Sequence, residues 1–318
     1  MGALIKMRRH AAAPWSVGGV SGKPTLAYMA LVKAFSITRH LGQHFQLSQL
    51  LGEMGLLDQR QYYPGLRYRY LRKYYLGTGF SIRERLQVAI NHHHSMARHF
   101  RPDCLAIAYR SGHALWRCQL EDLALQVTLR MPYVYNHDGD LCLSLDVNGE
   151  NVSIMTFSLA PGAVVGIAEP QVLLVSGIQG IAGKISEVRR ATELCNNVSP
   201  AHMLLFAASA LAAEIGLQTI VGMGQHRMRG MPAAGKASTA FDYDAFWMHT
   251  LGEEQPGEFY RMALPYADKP IESVPAKHRS RARKRRELRN IIRHDIESQA
   301  HQALLRNCII ENNISNNA

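Results

Sequence analysis

Residues 171–223, QVLLVSGIQGIAGKISEVRRATELCNNVSPAHMLLFAASALAAEIGLQTIVGM, decide the fold. The opening QVLLVSGI is a continuous apolar run, the pattern of a strand covered on both faces. Glycines at 177, 180 and 183 predict a turn, and an amphipathic, basic helix follows as far as Cys195. Asn196-Asn197 break that helix, and Ser199-Pro200 start a second one with an N-cap residue followed by proline at the first helical position. Gly216 ends it, and LQTIVGM returns as a strand. Strand, glycine turn, helices and strand is the order of a right-handed crossover onto a parallel or mixed sheet.

Working outward, the segment from Leu105 changes to period-two patterns: ALWRCQLED, LALQVTLRM, DLCLSLDVN and NVSIMTFSLA, separated by turn signals such as NHDGD and NGEN. These read as consecutive antiparallel strands. Before them, LAYMALVKAFSITRHLGQHFQLSQLLGEMGLL repeats apolar residues at helical spacing, and Ser81 with Glu84 forms a capping-box pattern ahead of a second helical block. After Met223, GQHRMRGMPAAGKASTA reads as loop, FDYDAFWMHTLGE is aromatic and acidic, and PAKHRSRARKRRELRNIIRHDIESQAHQALL reads as a basic helix. The expectation is therefore an α+β protein: a mainly helical part over 1–104, a mixed, mostly antiparallel core over 105–275, and a basic helix with a frayed tail over 276–318.

The composition is globular, with 47% hydrophobic and 19% charged residues, and no apolar run approaches the roughly 18 residues needed to span a bilayer. The N-terminal residues show no apolar signal-peptide region, because Pro14 and Gly18-Gly19 interrupt them. Five widely spaced cysteines without a C-x-x-C pair fit reduced thiols, and a cytoplasmic location is expected. The net charge of +11 is concentrated. Lys277–Arg293 holds nine Lys or Arg against the single acid Glu287, so this segment supplies +8.

Several residues are candidates for chemistry. Gly177, Gln179, Gly180, Gly183 and Lys184 form a turn whose backbone N–H groups would face a phosphate at a helix N-terminus. The arrangement is similar to the pyrophosphate turn of GNAT-type N-acyltransferases, which bind coenzyme A, and it lacks the spacings of a P-loop or a Rossmann turn. The alternative is a tight corner that only permits close packing. Tyr243, in FDYDAFW, is a candidate general acid for a leaving thiolate, or an aromatic anchor beside helix-capping aspartates. Glu150 is a candidate general base, or a solvated turn residue. His92, His93 and His94 diverge by about 100° on a helix and do not converge on one ion, so no metal site is expected. Lys277, Arg279, Arg281, Arg283, Lys284, Arg285 and Arg286 form a basic surface for anionic lipid headgroups, worth about 1 kcal/mol per basic residue at a membrane. Nucleic acid is less favoured, since no reading motif accompanies the charge.

HDGDLCLSL followed by SIMTFSL, LLVSGIQG, SPAHMLLFAASALAAEIG, FDYDAFW and PAKHRSRARKRREL, together with YYPGLRYRYLRKYYL and RERLQVAINHHHSMARHF, resemble the VirK/YbjX family over about Gln61 to Ile292. The chain departs from that pattern at Asp138 and Asp140, where glutamates are usual, and at Ala282, where an aromatic is common. The resemblance implies roles in bacterial virulence, envelope integrity and resistance to cationic antimicrobial peptides. The reading that follows is a cytoplasmic protein, peripheral at the inner membrane, that transfers an acyl group from acyl-coenzyme A or acyl-carrier protein. The alternative is a binding module that docks on an anionic membrane or a partner protein through its basic helix.

Overall fold

The computed structural model describes residues 26–57, 65–72, 75–132, 139–228, 241–250, 253–268 and 270–300. The expected α+β architecture is present, with helices preceding a mixed sheet. Helices α1 (Leu26–Arg39) and α2 (Leu41–Glu53) are followed by α3 (Ile82–His99) and α4 (Pro102–Arg110). The capping box forms: the Glu84 N–H donates to Ser81 Oγ at 3.2 Å and the Ser81 N–H donates to Glu84 Oε2 at 2.7 Å. Such a cap contributes about 1 kcal/mol and fixes where α3 begins. The boundary expected between 104 and 105 falls inside α4, which Pro102 starts, so the strands begin later, at β1 (His113–Leu120).

Strands β1, β2 (Leu123–Arg130), β3 (Leu141–Val147), β4 (Glu150–Pro161) and β5 (Gln171–Gly180) form an antiparallel meander. Helices α5 (Ile185–Leu194) and α6 (Pro200–Glu214) then carry the chain over to β6 (Thr219–Met223), which runs parallel to β5, as the crossover predicts. After α7 (Tyr243–His249), the short strands β7 (Glu253–Gln255) and β8 (Phe259–Ala263) close the order β1-β2-β3-β4-β5-β6-β8-β7. This last hairpin carries no sequence signal, because β7 is three residues long and mostly exposed.

α6 is apolar all round and correspondingly buried, lying against β3 to β6. α8 (Ala276–Gln299) is the expected basic helix, and one side of it is buried. Leu288, Ile292 and Ile296 are buried, and the helix packs along α6 and reaches β1. The N-terminal residues, Asp138, the loop over 229–240 and the tail from 301 lie outside the described residues.

Candidate functional site

β5 and β6 pair only at Leu173–Ile220, Leu174–Val221 and Val175–Gly222. Beyond Val175, β5 bulges: Phe157 faces Val175 and Thr156 faces Gly177, which leaves Ser176 without a partner on β4. Bulges of this kind bend a strand and recur beside active sites. The strand then runs on to Gly180 with β4 alone on one side. On its other side stands Tyr243, whose hydroxyl donates to Ile178 O at 2.9 Å and accepts from the Ile178 N–H at 3.1 Å.

Local chemistry explains why Tyr243 reaches this gap. Asp242 caps α7 by accepting from the Ala245 N–H at 2.9 Å, and Gln225 Oε1 accepts from the Tyr243 N–H. One turn on, the Trp247 indole lies on Gly222, where a β-carbon would meet it at 2.0 Å, and Trp247 Nε1 donates to Met223 O. α7 is thus pinned across the end of β6, with its first residue inserted between the diverging strands.

The glycine corner differs from the expected one. Gly177, Gln179 and Gly180 belong to β5 and not to a turn, and the turn itself is Ile181–Lys184, with Gly183 at φ +80°. The Ile181 N–H goes to Val152 O and the Lys184 N–H to Ile181 O. Lys184 Nζ is bonded to Glu150 and lies 3.2 Å from Glu187, and these two carboxylates raise its pKa. The Ser186 hydroxyl, its own backbone N–H and Lys184 hold Glu187 down at about 2, so the first turn of α5 carries a negative charge. A phosphate would meet that charge and a lysine already neutralised. Glu150 is exposed and paired with Lys184.

The sequence reading missed a buried polar cluster on the α3 side of the bulge. The backbone of Gly139 lies so close to Ser176 Oγ that a β-carbon there would stand 2.7 Å from it. The next residue, Asp140, is buried, and its Oδ2 accepts from the Tyr75 hydroxyl and from Ser158 Oγ, each at 2.7 Å. Burial opposes ionisation of Asp140, but the neighbouring His92, His93 and Arg69 and the Ser158 hydroxyl hold its carboxyl below the usual range. Burial drives His92 down to about 3 and lowers His93, so both rings are neutral at pH 7.

Hydrogen-bond accounting gives the two rings opposite tautomers. The Leu159 N–H donates to His92 Nδ1 at 3.2 Å, so the His92 proton is on Nε2. His93 Nδ1 lies 2.8 Å from Ala89 O, which only accepts, so its proton is on Nδ1 and Nε2 carries the lone pair. His92 Nε2, His93 Nε2, Tyr109 Oη and Asp140 Oδ1 are all buried without a hydrogen-bond partner. Each such atom costs about 1–3 kcal/mol, and functional sites are where such costs are retained. The signal was present in the sequence, because His92 and His93 fall on the same α3 stripe as Leu86, Ala89 and Met96. Among the described residues no group of three or more His, Cys, Asp or Glu is placed to hold a metal.

The seven basic residues predicted on α8 divide between two faces. Lys277, Arg283 and Lys284 are exposed to solvent. Arg279 is tied to Val274 O and Glu272 O. Arg281 and Arg285 are exposed as well, and with the half-buried Arg286 they line a cavity on the α6 side of the helix. No helix among the described residues is long and apolar enough to cross a membrane.

Residues 32–298 match the family described as "Protein of unknown function (DUF535)". The chain is 25% identical over 236 residues to the uncharacterized protein YbjX of Escherichia coli K12, covering 70% of this chain and 68% of that protein. It is 24% identical over 180 residues to an uncharacterized protein of Haemophilus influenzae Rd, covering 56% and 58%. No solved structure matches it.

Proposed function

The chain belongs to the DUF535 family, and on that premise we propose that it is an acyltransferase that takes its acyl group from a thioester donor. The observation that carries this reading is the gap between β5 and β6, where the end of β5 has no partner on β6 and the Tyr243 hydroxyl takes up the N–H and C=O of Ile178. An extended, amide-bearing arm such as that of acyl-coenzyme A or acyl-carrier protein would enter along this edge as an added strand does, releasing the Tyr243 hydroxyl as it pairs with Ile178. The acceptor's nucleophile attacks the thioester carbonyl, the C–S bond breaks, the departing thiolate takes the Tyr243 proton, and the proton that the nucleophile loses returns through solvent to the Tyr243 phenolate. The donor's phosphates are not assigned to the Lys184 corner, for the electrostatic reason given above. The setting of this reading is the bacterial envelope, with the virulence and peptide-resistance roles implied by the VirK/YbjX resemblance.

The test supplies acyl-coenzyme A and acyl-carrier thioesters of several chain lengths, with water as a stand-in acceptor, and follows thiol release. Release is expected from at least one donor, and Tyr243→Phe slows it about 100-fold, as loss of a general acid does. If no thioester is bound or cleaved, the reading fails.

A second reading draws on one observation. Lys277, Arg283 and Lys284 are exposed on an ordered helix with no ion pair to them among the described residues. That face supports peripheral attachment of a cytoplasmic protein to the anionic inner membrane. Co-sedimentation with anionic vesicles would then fall steeply as salt shortens the screening length, which is about 10 Å at 0.1 M. Salt-independent sedimentation would exclude it.

A further inference from the structure

The other face of α8 is less ordinary. His278, Arg281, Ala282, Arg285 and Arg289 recur at three- and four-residue spacing, so they share the side of the helix turned to α6. One turn of helix later, Leu288, Ile292 and Ile296 fill the packing side with apolar groups. In the N-terminal half arginines stand at the packing side, and the space between them, α6 and the end of α7 is a cavity of about 460 Å³.

The charge in this cavity is poorly compensated. Among the described residues that line it, Arg281, Arg285, Arg286 and Arg289 face one carboxylate, Asp268, which serves both Arg286, at 3.4 Å, and Arg289. Arg285 donates to Asn196 O and Asn197 O, which take up two of its five N–H groups without cancelling its charge. His202, on the α6 wall, adds no positive charge at pH 7, because burial, Arg285 and His249 lower it to about 4. Like charges gathered in one partly enclosed space repel, and an anion placed among them is held strongly. Ala282 is the small side chain among the arginines, and its size leaves the cavity open.

We propose that this cavity binds a ligand bearing phosphate groups with at least two negative charges, gripped by forked guanidinium–phosphate hydrogen bonds. Its volume fits a small phosphorylated molecule or a lipid headgroup. The site is separate from the β5/β6 gap and stands or falls independently of acyl transfer.

The experiment measures binding of inorganic pyrophosphate by calorimetry and of phosphatidic acid vesicles by co-sedimentation. It compares the wild-type chain with Arg281→Ala, Ala282→Phe and, as a control away from α8, Arg98→Ala at an exposed position of α3. At least one probe is expected to bind. Arg281→Ala and Ala282→Phe should each weaken it tenfold or more, and Arg98→Ala should change it less than twofold. Binding of pyrophosphate alone assigns the phosphate to a soluble ligand, and binding of vesicles alone assigns it to a lipid headgroup. The proposal is overturned if neither probe binds, or if Ala282→Phe, which keeps every charge but fills the space, binds like the wild type. Should Ala282→Phe not fold, Arg281→Glu at an exposed side chain carries the same test, and unchanged binding by it is equally fatal.

Discussion

The two ends of β4 hold polar groups of opposite character. At its start, Glu150, Lys184 and Glu187 meet in an exposed corner where one ammonium is held by two carboxylates. At its end, Ser158 sits in a buried cluster where Asp140, His92, His93 and Tyr109 each keep a polar atom without a partner. The first corner has the residue types of a binding site and the electrostatics of a finished ion pair. The second contains a histidine pair that does not converge as a metal site would, yet it keeps polar atoms without a hydrogen-bond partner. Residue type therefore says less than the balance of partners.

Breaking the buried end should have the largest effect. Asp140→Ala leaves the Tyr75 and Ser158 hydroxyls facing a void and is expected to cost about 3 kcal/mol, read as a fall in urea midpoint at constant slope. A cost below about 1 kcal/mol would mean that the cluster is not coupled as described.

Acid should erode the same end next. His92 titrates at about 3 in the folded chain and near 6.5 when unfolded, so its contribution to stability is complete above pH 6.5 and is lost as pH falls toward 3. Between pH 6.5 and 5 this amounts to about 2 kcal/mol, and His93 acts in the same direction. Asp140, with its pKa lowered, adds its own loss only below the ordinary carboxylate range. Denaturation midpoints across this range should slope less in His92→Gln by about one proton. An unchanged slope would place the acid sensitivity elsewhere.

The matched end should respond least. Lys184→Met removes a partly exposed ion pair and should leave the urea midpoint close to that of the wild type, with no loss of thioester binding. A large loss of binding in that variant would restore the glycine corner as a phosphate site and reverse the contrast between the two ends.

Much of the fold was legible because local signals are strong where backbone chemistry is local. The Ser81–Glu84 cap, Pro200 at the first position of α6, the period-two strands and the crossover to β6 all follow from neighbours in sequence. Ser199 shows the limit of such signals. It occupies the N-cap position, but its hydroxyl lies 2.8 Å from His202 Nδ1 and makes no side-chain cap. The β7–β8 hairpin was illegible because three exposed residues have no period. Tyr243 was singled out by its aromatic and acidic surroundings, but nothing nearby in sequence points to Ile178, 65 residues earlier.

What the sequence by itself determined was the order of elements, the family resemblance and the concentration of charge near residue 280. These depend on residues within a few positions of one another. Tertiary structure alone decided that Lys184 is held by two carboxylates, that Asp140 lies among two histidines and two tyrosines, and that four arginines of α8 line one cavity with Asp268. Coulomb energy, desolvation and hydrogen bonding all depend on distance in space, and the partners that set them come from strands and helices far apart along the chain.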